Sequence, residues 1–441
     1  MIFKEVARQA TRSADRYISF FRLMLVCRRY HDIILGNVTF WSHITASDEE
    51  SIRFALKSID RSRGGKLGVG LRWHSSSTAE QMTVLLSTLA DQSHRLGTFS
   101  VVSPSLPTLP RWTSPATNLH TLAIRNKGAK QPLTNFFGGP LPRLRYLALE
   151  GFCSWPGGLF CDLHYITLQV HSTPGATSFM DLLDLLAASP KLRSLNIGGY
   201  ITAPRLRHHS RVIALPHLTS LTIYKSSFRD ILGHVSLPST VEVRLMECTD
   251  TVGDPQSNAL PGRGNPILSC LTGFFTLSVI LDFKRSTLNL AAFKHGKPTP
   301  TLVIKNRITP QFGAVVAQSL EYYATIHPFA SVEVLFVVTD APSQIPWNQC
   351  FSGFPSLRQL TVRTRDISAL YATLHKELGS DPILYSPPEH TPTQNPHGMK
   401  SLHVDWRATS RRVYYCSAFG GSLRVEPRRT TGLVSQMKPR G

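Results

Sequence analysis

Leu141-Pro142-Arg143-Leu144-Arg145-Tyr146-Leu147-Ala148-Leu149 and Ser189-Pro190-Lys191-Leu192-Arg193-Ser194-Leu195-Asn196-Ile197 match position by position. Each has a Pro, one residue, a Leu, two variable residues, an apolar residue, one variable residue and a last apolar residue. The last two apolar positions alternate as residues on one face of a strand do, and the Leu before them anchors the turn that leads in. The pattern recurs at Leu96-x-x-Phe99-x-Val101, Leu119-x-x-Leu122-x-Ile124, Leu163-x-x-Ile166-x-Leu168 and Leu218-x-x-Leu221-x-Ile223. Degenerate copies stand at Val243-x-Leu245 and Val332-x-x-Leu335-x-Val337, and a clean one at Leu357-x-x-Leu360-x-Val362.

The first positions of the six regular copies are separated by 23, 25, 19, 29 and 26 residues, the period of a leucine-rich repeat. Such strands stack in parallel, and their shared apolar face needs a cover on the return path. Residues 179–186, Phe-Met-Asp-Leu-Leu-Asp-Leu-Leu, have the helical spacing of such a cover, and 314–323 and 370–378 look similar. The expected fold is therefore α/β, an irregular leucine-rich-repeat solenoid preceded by a small helical cap. A doubly wound α/β domain would need longer helices and a Gly-rich phosphate turn after a strand, and neither is visible. The expected organisation is a cap over 1–50, the array over 51–405 and a tail over 406–441. Loops are expected at 249–266, rich in Asp, Gly, Pro and Asn, and at 386–398, which carries Pro387, Pro388, Pro392 and Pro396.

At 441 residues, 42% of them apolar, the chain can bury a large core. Its seven cysteines include no C-x-x-C pair, and the first sixteen residues are interrupted by charge, which points to reduced thiols and a cytoplasmic or nuclear protein. The longest uncharged apolar stretch, 267–281, is shorter than the ~20 residues a membrane span needs, so it reads as buried strand and turn and no membrane is expected. The formal charge is +20, from 48 basic and 28 acidic side chains, and such an excess attracts acidic partners. Residues 406–441 hold eight Arg or Lys against one Glu in a Gly-, Ser- and Thr-rich context, the composition of a solvated tail. Nucleic acid is not the expected partner, because aromatic residues are not interleaved with the basic ones.

Residues 17–34 read as helices broken near 28–30, stopped by Gly36-Asn37 and followed by Phe40-Trp41. The run Leu23-Met24-Leu25-Val26-Cys27-Arg28-Arg29-Tyr30-His31-Asp32-Ile33-Ile34, with Phe40-Trp41-Ser42-His43-Ile44, resembles the second half of the F-box of mushroom-type fungal F-box proteins. Tyr30 stands where that family usually has Trp, and Phe40-Trp41 where it has Leu-Trp. Residues 55–63 and Leu67-x-Val69-x-Leu71 look like its linker helix and first strand, so the likeness covers most of 1–365. The family's opening Leu-Pro-x-Glu-(Ile/Leu)-Leu segment is matched only at its end by Met1-Ile2-Phe3; a start codon assigned too far downstream would explain this, and otherwise the adaptor-binding surface is incomplete.

The resemblance implies a substrate receptor that docks a Skp-type adaptor, and through it the cullin of an SCF ubiquitin ligase, while a protein substrate is held on the repeats. Carried over as adaptor-binding or F-box core residues are Leu25, Val26, Cys27, Arg28, Tyr30, Ile33 and Trp41. The alternative is a repeat scaffold with no ligase link. No enzyme activity, cofactor or metal is expected: HExxH, GxSxG and P-loop patterns are missing, and Gly64-Gly65-Lys66 lacks the flanking residues that phosphate cradling needs. In a repeat array the variable residues between committed core positions carry recognition. Those expected to bind substrate are Arg145, Tyr146, Arg193, Asn196 and Arg358, with His120 among their neighbours. Their chemistry suits an acidic or phosphorylated segment held by arginine forks.

Overall fold

The computed structural model describes residues 22–72, 79–104, 112, 114–128, 132–133, 137–152, 154–170, 179–199, 211–224, 228–246, 273–282, 287–307, 329–341, 345, 347, 354–365, 384–385, 400–405, 415–419 and 422–425. The loops expected at 249–266 and 386–398 and the covers expected at 314–323 and 370–378 lie outside these residues. The protein is mixed α/β, with mostly parallel strands and few helices, and divides into two units, Met1–Pro238 and Ser239–Gly441.

The first unit opens with helical residues 22–26, then α1 (Arg28–Gly36) and α2 (Val38–Trp41). Next come β1 (His43–Ala46), α3 (Glu49–Arg61), β2 (Leu67–Arg72), α4 (Ala79–Asp91) and β3 (Leu96–Ser103). They are followed by β4 (Thr121–Asn126), β5 (Tyr146–Glu150), β6 (Tyr165–Val170), α5 (Phe179–Ala187) and β7 (Ser194–Gly199). The unit ends with β8 (Ile213–Ala214), β9 (Ser220–Tyr224), α6 (Phe228–Gly233) and β10 (Val235–Ser236), of which β8 and β10 pair only with each other.

From β1 to β7 and then β9, each strand pairs in parallel with the one before it, and the register places like on like. One inward row runs Ile44, Val69, Phe99, Leu122, Leu147, Ile166, Leu195 and Leu221; the next runs Ala46, Leu71, Val101, Ile124, Leu149, Leu168, Ile197 and Ile223. Every one of these side chains is at most 3% exposed, which is why a one-residue slip is forbidden: it would turn both rows to solvent. The Pro of each motif also finds its physical account. Leu144, Leu192 and Leu218 donate backbone N–H bonds to Leu141, Ser189 and Leu215. Each motif therefore enters its strand through a β-turn with Pro142, Pro190 or Pro216 at the second position, where a locked φ costs nothing.

The cover is supplied piecewise. Met82, Leu85, Leu86 and Leu89 of α4 and Phe179, Leu182, Leu183 and Leu186 of α5 are buried. Between β3 and β5 an aromatic wedge fills the core: the buried Trp112 ring meets Phe99 edge-on at 5.3 Å and Phe137 at 4.8 Å. Gly151, at φ +83°, closes the turn after β5, and a Cβ there would stand 1.9 Å from the Asn126 carbonyl oxygen.

The second unit departs from one strand per repeat. It contains β11 (Glu242–Met246), β12 (Phe274–Asp282), β13 (Thr287–Lys294), β14 (Leu302–Arg307), β15 (Val334–Thr339) and β16 (Gln359–Thr364). β12, β13 and β14 form an antiparallel meander; β11 pairs in parallel with β14, and β15 with β12. The meander returns through a turn after Lys294, which accepts a bond from the Lys297 N–H, with Gly296 at φ +71°. β15 and β16 resume the parallel register, Leu335 on Leu360 and Val337 on Val362. β17 (Leu384–Tyr385), β18 (Lys400–Asp405), β19 (Tyr415–Phe419) and β20 (Ser422–Val425) follow. The last two lie in the stretch expected as a solvated tail. They pair antiparallel with Phe419 opposite Ser422, and Gly420-Gly421, a strong hairpin dipeptide, stands between them.

Candidate functional site

Two surfaces of the first unit gather the residues singled out by sequence. In the cap, Cys27 is extended (φ −161°, ψ 161°) and interrupts the helical path between Val26 and α1. The Trp41 indole is 1% exposed and donates its Nε1–H to the Ile34 carbonyl at 2.8 Å. Its ring lies 5.7 Å from Phe54, and the Arg61 guanidinium sits over it at 4.6 Å. Trp41 therefore fastens the cap to α3 and is unavailable to a docking partner. The other carried-over residues divide differently. Leu25 is 86% exposed, Val26 65% and Ile33 38%, Cys27 and Arg28 are exposed, and Tyr30 is half-buried. Three large apolar side chains thus face water beside a firmly built core.

The second surface is the open face of the strands, built by residues that alternate with the buried rows. Its floor is small: Gly70, Ser100, Ala123, Thr167, Asn196 and Thr222 align in register, with the buried Ala148 between Ala123 and Thr167. Beside it Tyr146 and Tyr165 are register partners, their rings 6.2 Å apart and tilted by 36°. Along the entry edge the residue before each strand continues the ladder. Arg145 donates its N–H to the His120 carbonyl at 3.0 Å, His164 to Arg145 at 2.8 Å and Arg193 to His164 at 2.8 Å. His120, Arg145, His164 and Arg193 therefore form one row at the strand spacing. A Cβ on Gly97 would stand 3.3 Å from His120 Nε2, so the missing side chain makes room for that ring.

His164 is the electrostatic centre of the row. Burial holds its pKa below the ordinary histidine range, and the nearby Arg145, Arg193 and Lys191 push the same way against an opposing Asp162. Lys191 is paired with Asp162 at 3.5 Å. Neither Arg145 nor Arg193 has a carboxylate partner among the described residues. Arg145 Nη1 donates to the carbonyls of Leu144 (2.8 Å) and Pro142 (3.2 Å), which leaves the rest of its guanidinium for an outside acceptor.

The structure places Tyr146 and Asn196 in the register rows that alternate with the buried ones, and Arg145 and Arg193 at the strand entries beside them. Arg358 stands at the matching strand entry of the second unit, where its Nε pairs with Glu333 at 3.3 Å. The sequence reading does not include His164 and Tyr165, although Leu163-x-x-Ile166 places them as Leu144-x-x-Leu147 places Arg145 and Tyr146; the recurring position is the signal that finds them. Elsewhere, Trp155, Phe160, Asp181, Asp184 and Leu185 line a small cavity of about 60 Å³. Among the described residues there is no group of three side chains able to hold a metal, and no helix is long and apolar enough to cross a membrane. No protein-family model matches this chain, and no curated protein matches it in sequence.

Proposed function

We propose that this chain is a non-catalytic receptor subunit of the F-box and leucine-rich-repeat kind, which links a protein held on its strand face to a ubiquitin ligase. The single observation that carries this reading is the cap: Leu25, Val26 and Ile33 face solvent at 86%, 65% and 38%, although Trp41 and Ile34 beside them are fully packed. Large apolar groups left in water within one short stretch mark a protein-binding surface. Their place in the stretch that resembles an F-box makes a Skp-type adaptor the partner, with the cullin behind it. The parallel pairing of successive strands from β1 to β7 and β9 supports a leucine-rich-repeat arc as the substrate-holding part.

The test is co-purification of a Skp-type adaptor with the full chain. Capture is expected, and Leu25→Asp with Val26→Asp should abolish it while the fold persists, since both side chains already face water. Failure of the unaltered chain to capture the adaptor would leave a repeat scaffold without ligase recruitment.

A further inference from the structure

We propose that the cavity between the turn after β5 and helix α5 is a docking pocket for one arginine side chain of a partner protein, its guanidinium laid against Trp155 and held by the carboxylates of Asp181 and Asp184. The proposal goes beyond the receptor reading and does not need it. The residues that line the pocket belong to the covering side of the first unit and include none of the exposed cap or of the open strand face.

The pocket is built before any ligand arrives. Asp181, Asp184, Leu185 and Ala188 stand at i, i+3, i+4 and i+7, so one face of α5 and the residue after it form one wall. The facing wall is the turn Pro156-Gly157-Gly158-Leu159, closed by the Leu159 N–H donating to the Pro156 carbonyl at 3.4 Å, with Gly158 at φ +74°. A Cβ on either glycine would meet nothing within 4 Å, so the turn borders open space. Both ends of this wall are fastened. Leu133 donates its N–H to the Ser154 carbonyl at 2.8 Å, Asp162 donates to the Ala188 carbonyl at 2.9 Å, and Leu159 and Phe160 are buried.

Size and charge then define the occupant. A volume of about 60 Å³ holds roughly four to six waters at about 10–15 Å³ each, which suits the head of one side chain and excludes the body of a metabolite. The described lining carries two carboxylates and no basic residue, in a chain whose formal charge is +20. Arg211 donates to Asp184 at 2.6 Å and so holds that carboxylate in place. Asp181 is half-buried; burial, and Asp184 one turn on, hold its pKa above the ordinary carboxylate range. An entering cation relieves both the poor solvation and the repulsion, so the sign of the ligand is fixed by complementarity. Trp155, 9% exposed, fixes its shape. A guanidinium can stack on an indole and bond a carboxylate through its fork at the same time, and it sheds its hydration more readily than an ammonium.

The experiment uses the full chain and degenerate nonapeptide pools with a central arginine, lysine or citrulline, the last being a neutral isostere of arginine. The arginine pool should be retained about ten-fold or more over the citrulline pool, the loss expected when a charge-assisted bond is removed, with lysine between them. Preference for a cation is diagnostic, because a protein of charge +20 otherwise attracts acidic peptides. Asp181→Asn should reduce arginine retention to the citrulline level. Asp184→Asn, at a side chain 65% exposed, should reduce it part of the way while the fold persists. Urea unfolding of each variant separates lost binding from lost structure, and if Asp181→Asn fails to fold, unchanged retention in Asp184→Asn decides against the pocket. Equal retention of the arginine and citrulline pools would overturn it, as would arginine retention unchanged in a folded Asp181→Asn. Lysine retained as well as arginine would overturn the guanidinium assignment. Tighter capture of spermidine than of the arginine pool, lost in Asp181→Asn, would overturn the choice of a protein ligand. Adaptor capture should be unchanged in both variants, so its failure in the unaltered chain bears on the ligase reading alone.

Discussion

Asp48 illustrates how much local structure a single side chain organises. Its carboxylate accepts the Ser51 N–H at 2.9 Å, while the Ser51 hydroxyl accepts the Asp48 N–H at 3.0 Å, so the start of α3 is closed by a reciprocal capping box. The backbone bond from Ser51 is the main cause that holds its pKa below the usual carboxylate range. A folded-state pKa below the unfolded one stabilises the protein above the unfolded value, and that contribution is lost as pH falls through the folded value. Asp48→Ala should therefore cost about 1 kcal/mol at neutral pH, with the difference from the unaltered protein vanishing in strong acid, as urea unfolding at several pH values would show. Trp41 carries the opposite lesson: its place in an F-box-like run fits a docking or a core residue alike, and burial under Phe54 and Arg61 makes it a core residue.

Between elements, the most exacting junction is the one Arg95 makes. This side chain is 7% exposed and donates to the Gly65 carbonyl at 3.0 Å, to Gln92 Oε1 at 3.1 Å and to the Ser62 hydroxyl. It thereby ties the end of α3 and the entry to β2 to the entry of β3. Burial lowers its pKa without discharging it. Removing it strands the buried Ser62 hydroxyl and the half-buried Gly65 carbonyl, so Arg95→Ala should destabilise the first unit by about 2–4 kcal/mol in denaturant unfolding. Arg95→Lys should recover only part of that, since an ammonium cannot replace a planar fork. Strands and turns were legible at this scale because their signals are local: alternation sets the inward rows, and Pro at the second turn position sets each entry. The bridge from Arg95 to Gly65 was not, because it joins residues thirty positions apart and depends on how α3 and β2 come together.

At the scale of the molecule, the first unit packs Phe99, Trp112 and Phe137 together, and the second stacks Phe274 on Phe329, 5.5 Å apart. Unfolding should accordingly depart from a single two-state transition, and a fragment ending at Pro238 should unfold cooperatively with its near-ultraviolet tryptophan signal intact. One broad transition in the full chain, with a fragment lacking near-ultraviolet signal, would show instead that the units fold only together.

The sequence by itself determined the parallel strands of the first unit, their register and the residues between the apolar rows, because a period-two pattern repeated every 19 to 29 residues leaves one way to bury all copies on the same face. It could not determine the meander of β12, β13 and β14, in which the chain returns to β11 before moving on to β15. Alternating apolar residues look the same whether a strand runs with its neighbour or against it, and only the assembled ladder of hydrogen bonds distinguishes them. Nor could it decide which arginines lack acidic partners: Arg145, Arg193 and Arg358 hold the same position in the repeat, and what separates them is that Glu333 is the register neighbour of Arg358, while Arg145 and Arg193 have His164 between them.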